Sequence, residues 1–408
     1  MNKLLSLSRK LGPGFLFAGA AIGVSHLVQS TRAGADFGLG LLWALLLINL
    51  IKYPFFEFGP RYASATGESL LEGYRKLGKP ALVAYFIISL GTMFTIQTAV
   101  TIVTAGIASS LFGLDLALSS WSVIVTLICF VLLLVGKYKM LDGLMKVIIV
   151  CLTISTLLAV GIAFGNNDTV SFSQVMPSDA VGIAFLIAFM GWMPAPLDIS
   201  IWHSMWTLEK KKLSKDLNQA QSRFDFNVGY LTTTFLAICF VFLGALVMFG
   251  SGVSFSANGG TFANQLIQMY TDNLGESTRL IIGIAALTTM FSTTLTTLDA
   301  SPRVMARSTE LLTKKTYPKG YLIWLLVLVI GTGGIMFFLI SEMGLLIKIA
   351  TVLSFLTAPF YAIMNYKLVT SSHMPKDAKP GLFMRILSIL GVVILIGFGI
   401  WYLLSLEF

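Results

Sequence analysis

The sequence predicts an all-helical integral membrane protein, and three observations carry that prediction. Of the 408 residues, 56% are hydrophobic and 12% are charged, a balance too apolar for a water-soluble globular protein. The mean hydropathy is +0.84. Runs of about 20 apolar residues recur along the chain, and a helix of that length crosses a hydrocarbon core of roughly 30 Å. No soluble domain fits between these runs.

The positions of the apolar runs predict about eleven membrane-spanning helices. Charged and polar stretches separate the runs and place the boundaries to within a few residues. The predicted spans are 12–35, 39–60, 80–112, 117–136, 142–164, 179–204, 224–250, 278–306, 319–341, 344–368 and 383–406.

The connections between these spans are alternately rich and poor in Lys and Arg. Of the 28 basic residues, 24 fall on one side, and the positive-inside rule assigns that side to the cytoplasm. The exceptions are Arg32, Lys52, Arg279 and Lys348. We therefore expect a multi-pass protein of a bacterial-type inner membrane, with a cytoplasmic N-terminus and an extracytoplasmic C-terminus. The longest outer connection, 251–277, is rich in Gly and Ser and is expected to hold a short helix at 261–271.

The formal net charge of +9 is then a sign of topology, and the lipid bilayer is a sufficient partner for it. No nucleic-acid partner is expected, because the basic clusters lack interleaved aromatic residues. Cys129, Cys151 and Cys239 lie in apolar runs without regular spacing, so neither a disulfide framework nor a zinc site is indicated. The oligomeric state is not predicted; a monomer is compatible with the sequence.

Two predicted spans contain a stretch that interrupts a helix at membrane depth. The first is AAIGVSHLVQS, residues 20–30; the second is AFMGWMPAPLDISIWHS, residues 188–204. Pro194 and Pro196 each remove a helical donor and clash with the preceding turn. In a membrane, non-helical backbone survives only where it lines a cavity or is buried in protein. Both spans are therefore predicted to be discontinuous.

The two interrupted spans lie five spans apart, the spacing of an inverted repeat of five helices plus five. Matched discontinuous helices are the best sequence indicator of a transporter's central site; the alternative is two proline kinks repaired by neighbouring helices. We predict one transporter domain over 1–408, not an enzyme, with repeats at 12–164 and 179–368 and an additional helix at 383–406. The predicted substrate-binding residues are Gly23, Val24, Ser25, His26, Trp192, Met193, Pro194, Ala195, Pro196 and Asp198.

Ionisable side chains inside spans are costly, so they mark pathways, proton relays or internal ion pairs. His26 is a candidate proton carrier or soft metal ligand; alternatively, it is hydrogen-bonded and fixes the unwound backbone. Asp198 is a candidate cation ligand or proton site, or a cap of the second half-helix. His203 is either a proton-release group or an anchor at the membrane edge.

Three pairs of opposite charge are spaced by four residues, one helical turn. The pairs are Glu57 with Arg61, Asp299 with Arg303, and Arg32 with Asp36. Structural pairing is the simpler interpretation of the first two, and gating is the alternative; an outer gate is considered for the third. The hydroxyl-rich stretch TTMFSTTLTTLD, 288–299, either lines a polar path or serves helix packing.

Residues 12–43, GPGFLFAGAAIGVSHLVQSTRAGADFGLGLLW, resemble without gaps the first helix of the NRAMP (natural resistance-associated macrophage protein) family of proton-coupled divalent metal transporters. Similarity continues in SATGESLLEGYRK (64–76), RFDFNVG (223–229) and STTLTT (292–297). The resemblance covers most of helices one to ten. It implies the LeuT-type fold of the amino acid, polyamine and organocation superfamily, and metal-ion symport by alternating access.

The metal-binding motifs of that family are absent from these positions. Where the family has Asp-Pro-Gly-Asn, this chain has Gly-Val-Ser-His, so Gly23 stands for the ligand aspartate and His26 for the ligand asparagine. The family's helix six carries Met-Pro-His. Alignment on Met193 and its proline retains the thioether and puts Ala195 in place of the histidine, whereas alignment on His203 removes both. Both alignments stay open.

These differences from the family's metal-binding motifs affect which substrate the site is expected to bind. A dication needs charged oxygen ligands to repay its dehydration, so the missing aspartate argues against manganese or iron transport by the family mechanism. His26, Met193 and Asp198 would form a rebuilt site for a softer metal. The alternative is a small organic solute such as an amino acid, whose carboxylate meets the half-helix N-termini. A channel or sensor is a further alternative. No cofactor is expected beyond a bound metal ion or a coupling proton.

Overall fold

The computed structural model describes residues 12–114, 116–135, 138–166, 171–213, 218–250, 255–256, 259–276, 279–339 and 343–405. The N-terminal residues 1–11, the C-terminal residues 406–408 and parts of the 251–277 connection, for which topology is predicted above, lie outside this set. In the part described, every predicted span has a helical counterpart.

The helices follow one another with short connections. They are α1 (Pro13–Ala21), a π-helical segment (Ser25–Ser30), α2 (Thr31–Phe37), α3 (Leu42–Thr66), α4 (Leu70–Leu77), α5 (Lys79–Phe112), α6 (Leu118–Val135), α7 (Tyr138–Asn166), α8 (Ala180–Trp192), α9 (Ile199–Leu213), α10 (Gln219–Val247), α11 (Gly259–Leu274), α12 (Arg279–Thr313), α13 (Gly320–Leu339), α14 (Met343–Thr370), a 3-10 turn (Lys376–Ala378) and α15 (Leu382–Ser405).

Eight helices of the described chain are long and apolar enough to cross a membrane, namely α3, α5, α6, α7, α10, α13, α14 and α15. Helices α6, α13 and α15 lie at the periphery and leave large apolar side chains uncovered; Phe337 of α13, for example, is 82% exposed. Exposure of so much apolar surface to water would be unfavourable, whereas lipid tails would cover it. The first predicted span is divided into α1 and, after a break, the π-helical segment that continues into α2. The sixth is divided into α8 and α9, and α12 fills the eighth.

The divided first span is held at its start by a carboxylate from α10. The Gly12 N–H donates to Asp225 Oδ1 at 2.8 Å, and the Gly14 N–H donates to Asp225 Oδ2 at 2.7 Å. Pro13, between them, has no N–H, so the two oxygens serve the free donors on either side of it. A buried carboxylate at a helix N-terminus also suits the helix dipole.

Glycines let α10 approach the divided first span at backbone distance. A Cβ added at Gly229 would lie 2.2 Å from Gly14 O, and one added at Gly244 would lie 2.1 Å from Thr31 O. Neither neighbour is a flexible side chain that could move aside. The same close approach occurs around the sixth span, where a Cβ at Gly191 would lie 2.2 Å from Thr351 O of α14. The broken spans are thus enclosed by continuous helices.

We predict that Gly244→Ala destabilises the protein strongly, because the new methyl group would collide with the backbone of α2. Overpacking of this kind costs about 1–3 kcal/mol or more. The measurement is the thermal unfolding midpoint of the detergent-purified protein. Gly161→Ala in α7 is the matched control, since nothing lies within 4 Å of a Cβ there. A normal midpoint for Gly244→Ala would contradict the close packing of α2 on α10.

Candidate functional site

The break in the first span covers residues 22–24. The Gly23 N–H donates to Ala21 O at 3.0 Å and the His26 N–H to Gly23 O at 3.1 Å, so neither makes the ordinary bond to the residue four positions earlier. The carbonyls of Gly19 and Ile22 therefore lose their helical donors. In the sixth span, residues 193–198 separate α8 from α9. Both predicted discontinuities are present.

The two breaks meet at a small central pocket, completed by α5 and α12. Its volume is about 20 Å³, room for about one water molecule, and all of its lining residues except Pro196 are buried, so the pocket is closed to a substrate in this state. None of the described residues that line it has an ionisable side chain. The lining residues are Ala20, Ala21, Val24, Ser25, Ile96, Val100, Trp192, Pro196, Ile199, Trp202, Thr293 and Thr297.

Hydroxyl groups of α12 provide much of the polarity of this pocket. Thr297 Oγ1 donates to Gln97 Oε1 of α5 at 2.7 Å. Thr293 Oγ1 lies 3.0 Å from Gly19 O and 3.2 Å from Ile22 O, the carbonyls that the first break frees. The stretch 288–299 therefore does both things that the sequence left open, because it lines the pocket and joins helices. Gln97 was not singled out from the sequence, and Thr293 was considered only as part of that stretch.

Gly23 is required by its neighbour Thr293. A Cβ at position 23 would lie 2.6 Å from Thr293 Oγ1 and 2.8 Å from Thr293 Cγ2. The threonine thus fills the space that a side chain at position 23 would need. Position 23, where the resemblance predicts that Gly replaces the family's aspartate, therefore has no room for a side chain while Thr293 keeps this position.

His26 is fully buried and has two partners. Its Nε2 lies 2.9 Å from Thr233 O of α10, and its Nδ1 lies 2.7 Å from Ser25 Oγ. A carbonyl oxygen only accepts, so Nε2 carries a hydrogen. The imidazole faces α10 and is not among the residues that line the pocket. This geometry agrees with the interpretation that His26 fixes the unwound backbone; its role as a metal ligand or proton carrier stays a prediction.

Met193 and Asp198, the other members of the predicted metal set, have separate surroundings. Met193 Sδ accepts from Ser30 Oγ at 3.5 Å. Asp198 is buried, and its Oδ1 has no hydrogen-bond partner among the described residues. The same residues contain no cluster of three or more His, Cys, Asp or Glu side chains that could hold a metal ion. A set made of His26, Met193 and Asp198 would need a rearrangement from this state.

The residue of the sixth-span break that sequence reasoning missed is Lys52. This lysine is fully buried, and its Nζ donates to the carbonyls of Met190, Gly191 and Met193 at 2.8, 2.8 and 3.0 Å. The sequence contains one indication of this role, because Lys52 is a single lysine inside the apolar second predicted span. It was interpreted only as an exception to the one-sided distribution of basic residues. A charge at such a position is costly and indicates a buried partner.

His203 is also fully buried, on α9, among aromatic rings. Its ring stacks on Phe17 with centroids 5.6 Å apart and lies 5.7 Å from Phe226. Neither imidazole nitrogen has a hydrogen-bond partner in the described part of the chain. An anchor at the membrane edge does not fit this enclosed position, and the proton-release role stays a prediction.

Two of the three predicted charge pairs are formed. Arg61 Nε lies 2.7 Å from Glu57 Oε2, and Arg303 Nη2 lies 2.6 Å from Asp299 Oδ1. Each pair also joins separate segments. The Arg61 guanidinium donates to the Ala378 carbonyl, and the Tyr321 hydroxyl of α13 donates to Asp299. A gating role for either pair stays a prediction.

The third pair, Arg32 with Asp36, is not a close ion pair in this structure. The Arg32 guanidinium lies over the Phe185 ring of α8, 5.7 Å from its centroid, and Asp36 is exposed. The four-residue spacing brought both groups to one helix face, but the aromatic ring offers the guanidinium a cation–π contact there. Arg32 therefore links α2 to α8, the two broken spans.

Cavities lie at both ends of the divided sixth span. One of about 240 Å³ is lined by Arg32, Phe185 and Lys348 near the start of α8. Another of about 720 Å³ is lined by Glu72, Lys212 and other residues near the end of α9. The residues of the sixth span that line the closed central pocket, from Trp192 to Trp202, lie between these two ends. This arrangement is typical of a transporter with its central site shut.

An all-helical membrane protein with two broken helices around a closed central pocket is a membrane transporter with a LeuT-type fold. Solved structures share this architecture. A mutant of the Eremococcus coleocola manganese transporter matches with a TM-score of 0.74 at 15% identity, covering 98% of this chain and 87% of that one. MhsT in complex with L-phenylalanine matches with a TM-score of 0.67 at 15% identity, covering 95% and 98%.

The family follows from the sequence comparison. The model for natural resistance-associated macrophage protein-like proteins matches residues 14–405, so this chain belongs to the NRAMP family. An uncharacterized protein of Pasteurella multocida (strain Pm70) is 36% identical over 400 residues, which are 96% of this chain and 91% of that protein.

We predict that Gly23→Ala lowers the thermal unfolding midpoint and that Thr293→Ala relieves part of this loss in the double variant. The threonine Oγ1 and Cγ2 atoms are the ones that the new methyl group would meet. Coupling between contacting residues is commonly 0.5–3 kcal/mol, so we expect about 1 kcal/mol. Gly91→Ala in α5, which has open space around it, is the control. Strict additivity of the two changes would be inconsistent with the contact.

Proposed function

We propose that this chain is a secondary active transporter of the metal-ion class whose central site no longer suits manganese or iron. Membership of the NRAMP family and the fold shared with a manganese transporter support the class. Transport would occur by alternating access, with the halves of the two broken spans opening the pocket to one end or the other. The repeats at 12–164 and 179–368 are the proposed moving units.

The observation that carries the altered site is the absence of a carboxylate from the described lining of the central pocket. Manganese and iron ions lose hydration water on entering such a site, and anionic oxygen ligands repay that cost. Gly23 and Thr293 leave no space for such a ligand from helix one. A metal ion bound here would keep water molecules or use softer ligands brought in by a rearrangement.

A second candidate is a small organic solute, and the pocket's aromatic walls favour it. Trp192 and Trp202 line the pocket together with the hydroxyl-bearing residues Ser25, Thr293 and Thr297. Aromatic surface with a few hydrogen-bonding groups is typical of sites for small organic molecules. An amino acid would place its apolar group on the indoles and its polar groups on the hydroxyls.

We also propose that the protein lies in a bacterial-type inner membrane with its N-terminus in the cytoplasm. The one-sided distribution of 24 of the 28 Lys and Arg residues supports this orientation. The 720 Å³ cavity, which includes Lys211 and Lys212, would then face the cytoplasm.

A ligand panel tests these proposals. The purified protein is screened by thermal shift against Mn²⁺, Fe²⁺, Cd²⁺ and Mg²⁺ and against neutral amino acids, and each hit is followed as uptake into proteoliposomes with and without a proton gradient. We expect no Mn²⁺ or Fe²⁺ uptake. Saturable Mn²⁺ uptake that depends on the proton gradient would overturn the altered-site proposal. Amino-acid uptake without any metal uptake would favour the second candidate.

We predict that Thr297→Val weakens binding of whichever ligand the panel identifies by about fivefold. Valine keeps the shape of threonine but removes a hydroxyl that lines the pocket, and one hydrogen bond contributes about 1 kcal/mol. The measurement is the dissociation constant. Thr313→Val, at an exposed position near the end of α12, is the matched control and should bind normally. Equal affinities for both variants would place the substrate elsewhere.

A further inference from the structure

The end of α8 carries carbonyl groups that cannot complete a helix. In an α-helix the carbonyl of Met190 would accept from the N–H of residue 194, but residue 194 is a proline. Trp192 faces the same loss because residue 196 is also a proline. The chain then leaves the helix over residues 193–198. The negative end of the α8 dipole and several free carbonyls thus converge inside the protein.

One side chain from a different helix meets these carbonyls. Lys52 of α3 reaches Met190 O and Gly191 O at 2.8 Å, Met193 O at 3.0 Å and Ala195 O at 3.4 Å. An ammonium group has three hydrogens, and the three shortest contacts use all of them. Two of the four carbonyl oxygens belong to α8 and two to the break that follows it. Together they surround Nζ and form a cage for a monovalent cation.

The surroundings supply little other compensation for a buried positive charge. Lys52 is 0% exposed. None of the ion pairs within 4 Å in the described part of the chain includes Lys52. An unpaired charge in such a site would be costly, and the carbonyl oxygens are what solvates it.

We propose that Lys52 is a tethered cation that occupies a backbone cation site at the break of the sixth span. Its ammonium group takes the place that a free monovalent cation would hold in an otherwise identical site. The cage holds the end of α8 open, so the break persists without a bound ion. This inference concerns a different site from the central pocket and is independent of which substrate is transported.

Removal of the side chain tests the proposal by chemical rescue. In Lys52→Ala the side chain ends at Cβ, and the missing part is propylammonium. Unfolding midpoints are measured in propylammonium chloride and in tetramethylammonium chloride at equal concentration. We expect Lys52→Ala to unfold at least about 5 °C below the wild-type protein in the tetramethylammonium salt. Propylammonium should recover a large part of that loss and leave the wild-type protein unchanged.

Tetramethylammonium is the control cation because it has the same charge but no N–H donor and does not fit between the carbonyls. Lys367→Ala, at an exposed lysine of α14, is the control variant and should respond equally to both salts. Equal midpoints of Lys52→Ala in the two salts would overturn the proposal.

A second variant covers the case in which Lys52→Ala cannot be purified. Lys52→Met keeps nearly the same length but has neither a charge nor a donor. The proposal expects Lys52→Met to unfold below the wild-type protein and not to respond to propylammonium, since the methionine side chain occupies the space that propylammonium would need. A wild-type midpoint for Lys52→Met would show that the charge is not needed and would refute the tethered cation.

Discussion

The structure depends on one constraint: backbone groups freed by a helix break inside a membrane must find partners within the protein. Both broken spans meet it with side chains from continuous helices. The Thr293 hydroxyl of α12 lies within hydrogen-bond distance of the carbonyls of Gly19 and Ile22 and donates its single hydrogen to one of them at a time. Lys52 of α3 donates to the carbonyls at the end of α8. Asp225 of α10 plays the same part for the donors at the start of α1. Neighbouring helices thus complete the hydrogen bonding of the broken ones.

This solution also explains where the chain uses glycine. A side chain from one helix reaches the backbone of another only if the two helices pack closely. At Gly14 and Gly229, and at Gly244 and Thr31, the backbones approach so nearly that a methyl group would overlap. Gly23 is a further example. Its lack of a side chain leaves room for Thr293, whose hydroxyl lies within hydrogen-bond distance of the carbonyls freed by the break.

The architecture was predictable from the sequence, whereas the partners of the breaks were not. Span number and both discontinuities follow from local properties, namely apolar run length, the prolines at 194 and 196 for the sixth span, and the Gly-Val-Ser-His stretch at 23–26 for the first. The partner of a free carbonyl depends on which distant helix packs there, and residues 52 and 190 are far apart in sequence. The contact of Arg32 with Phe185 of α8 could not be predicted for a similar reason, since the ring comes from a distant part of the chain. His26 was located at the break, but its direction toward Thr233 required the three-dimensional structure.

The closed pocket constrains any substrate through the bonds it already contains. Thr297 is engaged with Gln97, and Thr293 with the carbonyls of the first break. A ligand that displaces these contacts must offer equivalent hydrogen bonds, because the groups it frees would otherwise stay buried and unpaired. A bare dication offers no donors to the freed carbonyls or to Gln97 Oε1, although it can bind their oxygens. A ligand with N–H or O–H groups would replace the existing bonds with hydrogen bonds, whereas a dication would replace them with coordination to the same oxygens. In either case the ligand must satisfy every oxygen that it frees, because an oxygen left buried without a partner opposes the opening of the pocket.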